Sequence, residues 1–414
     1  MSTVEVQAEP VLQSQRARFG FWIVAYALLI VMAFATLPSP LFGLYRLRDH
    51  LSALTITVAF AIYAAGTVSA LLAVPRIARR IGRKGVMVAA VATMTASAVL
   101  LAAWTALPGL LLGRLITGVG AGLAAGTAVA YLIELGLRAT SNPSSIARAR
   151  IIGTSVTVGA LGVGPLIAGF LAQWASWPLH LPYLVFVGLG VIGLAGLVGV
   201  PETGTLTSQR AALSVPASAG ASRLPIPAAA GTFAAFAASG LFAGLTGIIL
   251  ATTLHRTSHA LAGTTLFLVF NAGVVSQLAT NKVRASGVLA IGTVSMLMGL
   301  ALLVVSVRIS TPNLALFLVS GALVGAGEGA VYKGTTGIVL EAAAPERRLA
   351  MTSALLIALY VGLSIPVIGA GIALNEGASI PNTVLGFAIL VAIGVSVSGW
   401  LLVGRHGRAA EPTS

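Results

Sequence analysis

The sequence predicts an all-α membrane protein with twelve transmembrane helices, arranged as two six-helix halves related by pseudo-twofold symmetry. Three observations predict it. Charged residues make up only 8% of the 414-residue chain and hydrophobic residues 57%, with a mean hydropathy of +0.99. That is far too little charge to cover a soluble protein of this size. Apolar runs long enough to span a bilayer recur twelve times, and features of the first six runs echo in the last six.

About 20 residues at ~1.5 Å each cross a ~30 Å hydrocarbon core, and this sets the length of each run. Residues 1–18 form a polar tail without the layout of a signal peptide. The first half, 19–200, holds spans near 19–38, 52–74, 85–107, 109–135, 151–173 and 182–200. Residues 201–227 are the longest polar interruption, rich in Ser, Ala and Pro, and read as a flexible cytoplasmic linker. The second half, 228–403, holds spans near 228–254, 261–280, 286–307, 313–341, 349–374 and 383–403, and a short tail, 404–414, ends the chain. The 48 glycines suit helices packed closely through small residues.

Basic residues orient the spans. With the N-terminus inside, 18 of the 24 Arg and Lys residues fall on inner segments and four, Arg46, Arg48, Arg256 and Arg308, on outer loops. Arg114 and Lys333 lie within spans. This asymmetry puts both termini in the cytoplasm. The net charge of +14 follows from the same anchoring; with no soluble domain to carry a basic patch, it does not argue for nucleic-acid binding. The preference for Arg over Lys suggests a high-GC genome and so a bacterium, placing the protein in a bacterial inner membrane. The absence of cysteine excludes disulfides and thiolate chemistry. His180, His255 and His259 are too scattered for a metal site. No phosphate-binding loop and no Ser-His-Asp layout occurs, so neither an ATP-driven pump nor a membrane hydrolase finds support, and no cofactor is expected.

The internal echo has three parts in register. Val119-Gly120-Ala121-Gly122 recurs as Val324-Gly325-Ala326-Gly327. Glu134, Pro143, Arg148 and Arg150 recur in order as Glu341, Pro345, Arg347 and Arg348. Pro165 follows Pro143 by 22 residues, and Pro366 follows Pro345 by 21. Parallel repeats of six spans hold a substrate between the halves, near the midplane.

These residues resemble the major facilitator superfamily along essentially the whole chain. Pro75-Arg76-Ile77-Ala78-Arg79-Arg80-Ile81-Gly82-Arg83-Lys84 resembles the signature Gly-x-x-x-Asp-Arg-x-Gly-Arg-Lys of the loop between helices 2 and 3. It matches at Arg80, Gly82, Arg83 and Lys84 and departs at Pro75 and Arg79, where the family has Gly and Asp. Arg114-Leu115-Ile116-Thr117-Gly118-Val119-Gly120 resembles the helix 4 signature Arg-x-x-Gln-Gly-x-Gly of proton-coupled members. Gly159 to Gly169, centred on Gly164-Pro165, resembles the helix 5 signature of antiporters, with Ala160 and Ala168 in places where Gly is usual. Pro201-Glu202-Thr203 is also familiar from the superfamily. The resemblance implies a major facilitator fold of the drug–proton antiporter branch, with helices 1, 4, 7 and 10 around a central cavity.

Glu328 is the one acidic residue of ten that lies deep in an apolar span. A carboxylate at that depth costs about 2.5–3.5 kcal/mol even on insertion scales, so it faces a cavity or a partner. Desolvation favours the neutral form of a carboxyl group, which suits a proton carrier. The bland alternative is a carboxyl hydrogen-bonded to a neighbouring helix. Arg114 is the second proton-coupling candidate. It sits too far along the repeat for a direct pair with Glu328, and its alternative role is bonding to backbone carbonyls. Lys333, about 140° around the helix from Glu328, meets water, another helix's acceptor or an anionic ligand, or else snorkels to the inner surface. Tyr332 shares the face of Glu328.

Tyr26, Tyr63, Asn271, Gln277, Tyr332, Lys333 and Tyr360 are the candidate cavity residues. Arg80, Gly82, Arg83, Lys84, Glu134, Arg148, Glu341, Arg347 and Arg348 are gating candidates, with Glu134–Arg148 and Glu341–Arg347 or Arg348 as ion pairs. Gly164, Pro165 and Pro366 are helix-packing candidates. The expected activity is proton-coupled export of a small amphipathic or aromatic molecule by a monomer in the bilayer. Import of a metabolite by symport or uniport, and a non-transporting receptor on the same fold, remain open.

Overall fold

The computed structural model describes residues 3–140, 142, 144–203, 225–344 and 347–409. Most of the expected linker, the repeat prolines Pro143 and Pro345, and the end of the C-terminal tail lie outside the described residues. The helices are α1 (Thr3–Thr36), α2 (Phe42–Asp49), α3 (Ala53–Ala103), α4 (Leu107–Ala125), α5 (Ala128–Ala139), α6 (Ser144–Trp174) and α7 (Leu181–Val198), then α8 (Ile226–Thr252), α9 (His259–Ala279), α10 (Ala285–Arg308), α11 (Leu314–Ala342), α12 (Arg348–Asn375) and α13 (Ile380–Ala409). No strand occurs among the described residues, and eleven helical stretches are long and apolar enough to cross a membrane.

The sequence reading places a loop over residues 75–84, but helix continues to Gly82. The 51 residues of α3 would extend about 76 Å at ~1.5 Å each, more than twice the hydrocarbon core. The backbone turns at Gly82, with φ 73° and ψ 176°, a region that L side chains avoid. Arg is a good helix former, which lets the basic segment before Gly82 stay helical. The expected span 109–135 is interrupted at Gly126–Thr127, where α4 gives way to α5. Residues 3–18, read as a polar tail, are helical in continuity with the first span, because extending an existing helix avoids the cost of a new nucleus. Ser52, Ser258 and Asn313 cap α3, α9 and α11 by accepting the N–H groups of Thr55, Leu261 and Leu316 at 3.1–3.2 Å.

Close packing runs through glycines. A Cβ at Gly118 would meet the Tyr63 carbonyl and one at Gly122 the Thr67 carbonyl, both on α3 before Gly82. Gly120, between them, approaches Ala90 and Met94 on α3 after Gly82. In α11, Gly325 and Gly329 approach the Val269 and Gly273 backbones of α9, while Gly327 between them approaches Gly292 and Met296 of α10. So Gly118-Val119-Gly120-Ala121-Gly122 and Gly325-Ala326-Gly327-Glu328-Gly329 make the same alternating contacts. The packing register differs by two residues from the Val-Gly-Ala-Gly echo. It sets Glu328 opposite Ala121 instead of position 123.

Residues 19–203 meet residues 225–403 chiefly along two helix pairs, α6 with α9 and α3 with α12. Gly263 of α9 approaches the Pro165 carbonyl of α6, and Gly371 of α12 approaches Thr57 of α3. The Gln173 side-chain oxygen accepts from Ser258 Oγ at 3.1 Å and from the His259 N–H at 2.9 Å, tying the C-terminal end of α6 to the start of α9.

Candidate functional site

Among the described residues, Arg114 and Glu328 are the only Lys, Arg, Asp or Glu side chains that are buried, at 0% and 3% exposure. Each sits on a glycine-rich helix that packs closely against its neighbours, α4 and α11. Their surroundings differ.

All three guanidinium nitrogens of Arg114 donate to backbone carbonyls. One donates to Ala35 on α1, and the others to Ala59 at 3.2 Å and Phe60 at 3.0 Å on α3. The Ala35 carbonyl lies in the last turn of α1, where carbonyls lack intrahelical partners. The guanidinium carbon also lies 4.6 Å from the centre of the Tyr63 ring, a cation–π contact. Through these carbonyl bonds Arg114 ties α4 to α1 and α3.

Glu328 is half satisfied. One carboxylate oxygen accepts a hydrogen bond from Ser239 Oγ on α8, and the other has no hydrogen-bond partner. One turn on, Tyr332 meets Phe236 of α8 edge-on, with ring centres 5.6 Å apart. Residues seven apart lie on nearly the same helical face. Thr232 and Thr246 flank Ser239 at that spacing on α8, and Thr335 follows Glu328 at that spacing on α11. All three are buried with hydroxyls that have no hydrogen-bond partner. The facing sides of α8 and α11 therefore collect a carboxyl group, hydroxyls and aromatic rings.

Tyr63 packs against Arg114 on one side and Tyr360 on the other. It is fully buried, its hydroxyl has no hydrogen-bond partner, and its ring lies edge-on to Tyr360 of α12 at 6.3 Å. A carboxyl group placed as Glu328 is can take up and release a proton, and the unmatched hydroxyls can bond to a polar ligand.

Other candidates are elsewhere. The Tyr26 hydroxyl donates to the Leu189 carbonyl at 2.9 Å, holding α1 to α7. Asn271 donates to the carbonyls of Phe267, at 3.0 Å, and Gly159, at 3.4 Å, in the α6–α9 crossing. Lys333 reaches the end of α9, donating to the Gln277 carbonyl at 2.6 Å and Asn281 Oδ1 at 2.8 Å. Gln277 contributes its backbone there, and Lys333 makes the contact with another helix's acceptors and not with Glu328. Gly164 lies against the Ala33 backbone of α1, the Pro165 carbonyl faces Gly263, and Pro366 lies within α12.

The charged network at the Gly82 end pairs differently from expectation. Glu134 bonds Arg83 at 2.9 Å instead of Arg148, and its other oxygen accepts from Thr203 Oγ1 at 2.5 Å. Arg148 is exposed, as is Arg80. The reason is geometric: the turn at Gly82 brings Arg83 to the end of α5, while Arg148 points to solvent on α6. In the second half Glu341, Arg347 and Arg348 lie on the exposed surface, and their expected pairing is neither met nor excluded by these contacts. Glu202 accepts the N–H groups of Arg83 at 3.2 Å and Lys84 at 3.1 Å, capping the helix that restarts after Gly82. Lys84 donates to the Val198 carbonyl at 2.8 Å, and Arg138 to the carbonyls of Glu202 and Thr203. All of these partners fall within residues 82–203.

Sequence reasoning missed Ser239, Thr232 and Thr246, although their seven-residue spacing in an apolar run was visible. It noticed Glu202 without giving it a role. Among the described residues no group of three His, Cys, Asp or Glu could hold a metal.

Comparison with known proteins agrees with this architecture. The family model "Sugar (and other) transporter" matches residues 14–224. Myo-inositol transporter 2 of Cryptococcus neoformans is 34% identical over 118 residues, 28% of this chain and 20% of that protein. A putative multidrug resistance protein, MdtD, of Yersinia pestis is 28% identical over 206 residues, 46% of this chain and 40% of that one. The matched regions thus span less than half the length of these relatives. The crystal structure of a point mutant of nucleoside transporter NupG superposes with a TM-score of 0.68 at 12% identity, covering 93% of this chain and 99% of that one. That likeness is one of fold. The matched model covers just over half of the 414 residues, so the chain belongs to the sugar (and other) transporter family, within the major facilitator superfamily of membrane transporters.

Proposed function

We propose that this protein is a proton-coupled secondary transporter that exports a small amphipathic molecule, with Glu328 as the group that carries the proton. The observation behind this reading is the half-satisfied carboxyl group, buried between α11 and α8 with one oxygen on Ser239 and the other unmatched. A structural carboxylate in a membrane protein uses its acceptors, and one left open is suited to exchange. The two segments of α3 on either side of Gly82 count as separate spans, which makes twelve, in halves of six joined by the 201–227 linker. The matched glycine contacts of α4 and α11 support that repeat. The basic asymmetry supports cytoplasmic termini, and the Arg-rich composition supports a bacterial inner membrane. The protein works as a monomer, by alternating access around Glu328, Tyr63, Tyr332 and Tyr360. Proton and substrate exchange because they favour opposite charge states of one carboxyl group.

A second reading has its own support. The unpartnered hydroxyls of Thr232, Thr246, Thr335 and Tyr63 suit a polyhydroxylated substrate, as the inositol transporter's name suggests for that relative. Proteoliposomes carrying a pH-sensitive dye separate the two. Addition of an exported substrate on the side from which it is taken up drives protons the opposite way, whereas a symported polyol moves protons along with itself. Substrate flux with no accompanying proton movement would overturn both.

A further inference from the structure

A groove of about 800 Å³ opens on the outer surface of the bundle, between α8, α12 and α13, away from the Glu328 site. Its walls are almost wholly apolar and include Phe233, Pro366, Gly369, Gly386 and Leu390. Two of its glycines make it deep: a Cβ at Gly369 or Gly386 would meet nothing within 4 Å. Along α13 the lining runs from Asn382 to Gly394. Twelve steps of ~1.5 Å between them give a length of about 18 Å, close to one leaflet of a ~30 Å hydrocarbon core. One end is polar. Asn382 lies there, and its side-chain oxygen accepts from Arg308 at 2.6 Å, fixing an exposed guanidinium at the mouth.

We propose that this groove is a binding site for one phospholipid, with an acyl chain along the glycine-lined wall and the phosphate on Arg308. Length, apolarity and the placement of charge all match that occupant. Arg binds phosphate through several directed N–H groups, and Asn382 holds the guanidinium at the groove's mouth. The inference rests on the membrane setting and is independent of whether Glu328 carries protons. A lipid held there would brace α12, which carries Tyr360, against α8, which carries Ser239.

The test is lipid retention by the purified full-length protein, counted by native mass spectrometry after addition of phosphatidylglycerol or, separately, diacylglycerol. Wild type is expected to retain one phosphatidylglycerol. Filling the groove with Gly369→Leu and Gly386→Leu abolishes that retention. Gly188→Leu, on α7, also adds bulk where a Cβ meets nothing within 4 Å, and retains the lipid. Arg308→Gln, which leaves the groove open, lowers phosphatidylglycerol retention about tenfold, toward the diacylglycerol level. Unchanged retention in the filled variant would overturn the proposal. So would equal retention of the two lipids by wild type, or loss of retention in Gly188→Leu.

Discussion

Arg114 and Glu328 are both charges buried in glycine-packed helices, yet their partners differ. Arg114 spends every guanidinium nitrogen on a backbone carbonyl and lies over an aromatic ring. Glu328 has one oxygen on Ser239 and one unmatched. A fully met charge holds its helices in one arrangement, because any movement strands its partners. A half-met charge leaves room for a proton or a ligand. Glu202 makes the same point from the carboxylate side: it closes two N–H groups at the Gly82 turn and behaves as a cap.

This contrast can be broken by substitution. The largest effect is expected from Arg114→Ala, which strands three buried carbonyl interactions and leaves a void. A loss of more than about 3 kcal/mol is expected, read as a large drop in thermal stability or yield. A variant as stable as wild type would show that Arg114 is not structural. Gly82→Ala comes next, because its φ of 73° is strained for alanine and the added carbon collides with the Glu202 carboxylate. A cost of about 1–2 kcal/mol is expected. Glu202→Ala removes the acceptor for the Arg83 and Lys84 N–H groups and costs about 1 kcal/mol. Ser239→Ala is the smallest in stability, at ~0.6 kcal/mol for an interhelical hydrogen bond in a membrane. It nevertheless alters the pH profile of flux, and a profile superimposable on wild type would remove Ser239 from the site.

The membrane class, the apolar runs and Glu328 itself were legible in the sequence because hydropathy and charge cost act locally. The Gly82 turn was legible only as a motif, and its partner was not, since Arg83 and Glu134 are joined by a backbone turn that no pattern of charges reveals. The expected pairing of Glu134 with Arg148 treated nearness in sequence as nearness in space. The repeat register was misjudged for a similar reason. The four-residue identity was the more visible match, but the alternate glycines that face two different neighbours are what packing preserves. Ser239 was hidden because a lone serine in an apolar helix ordinarily bonds within its own backbone.

On the proposed reading Glu328 is held in place as a proton carrier while Arg114 is held as a brace. Glu328→Gln keeps an acceptor for Ser239 and nearly the same shape, so fold and stability are expected to remain. The direct measurement is flux in proteoliposomes with and without an imposed pH gradient. The predicted result is that gradient-driven flux falls to background while substrate exchange at equal pH persists. Undiminished gradient-driven flux in Glu328→Gln would contradict the assignment.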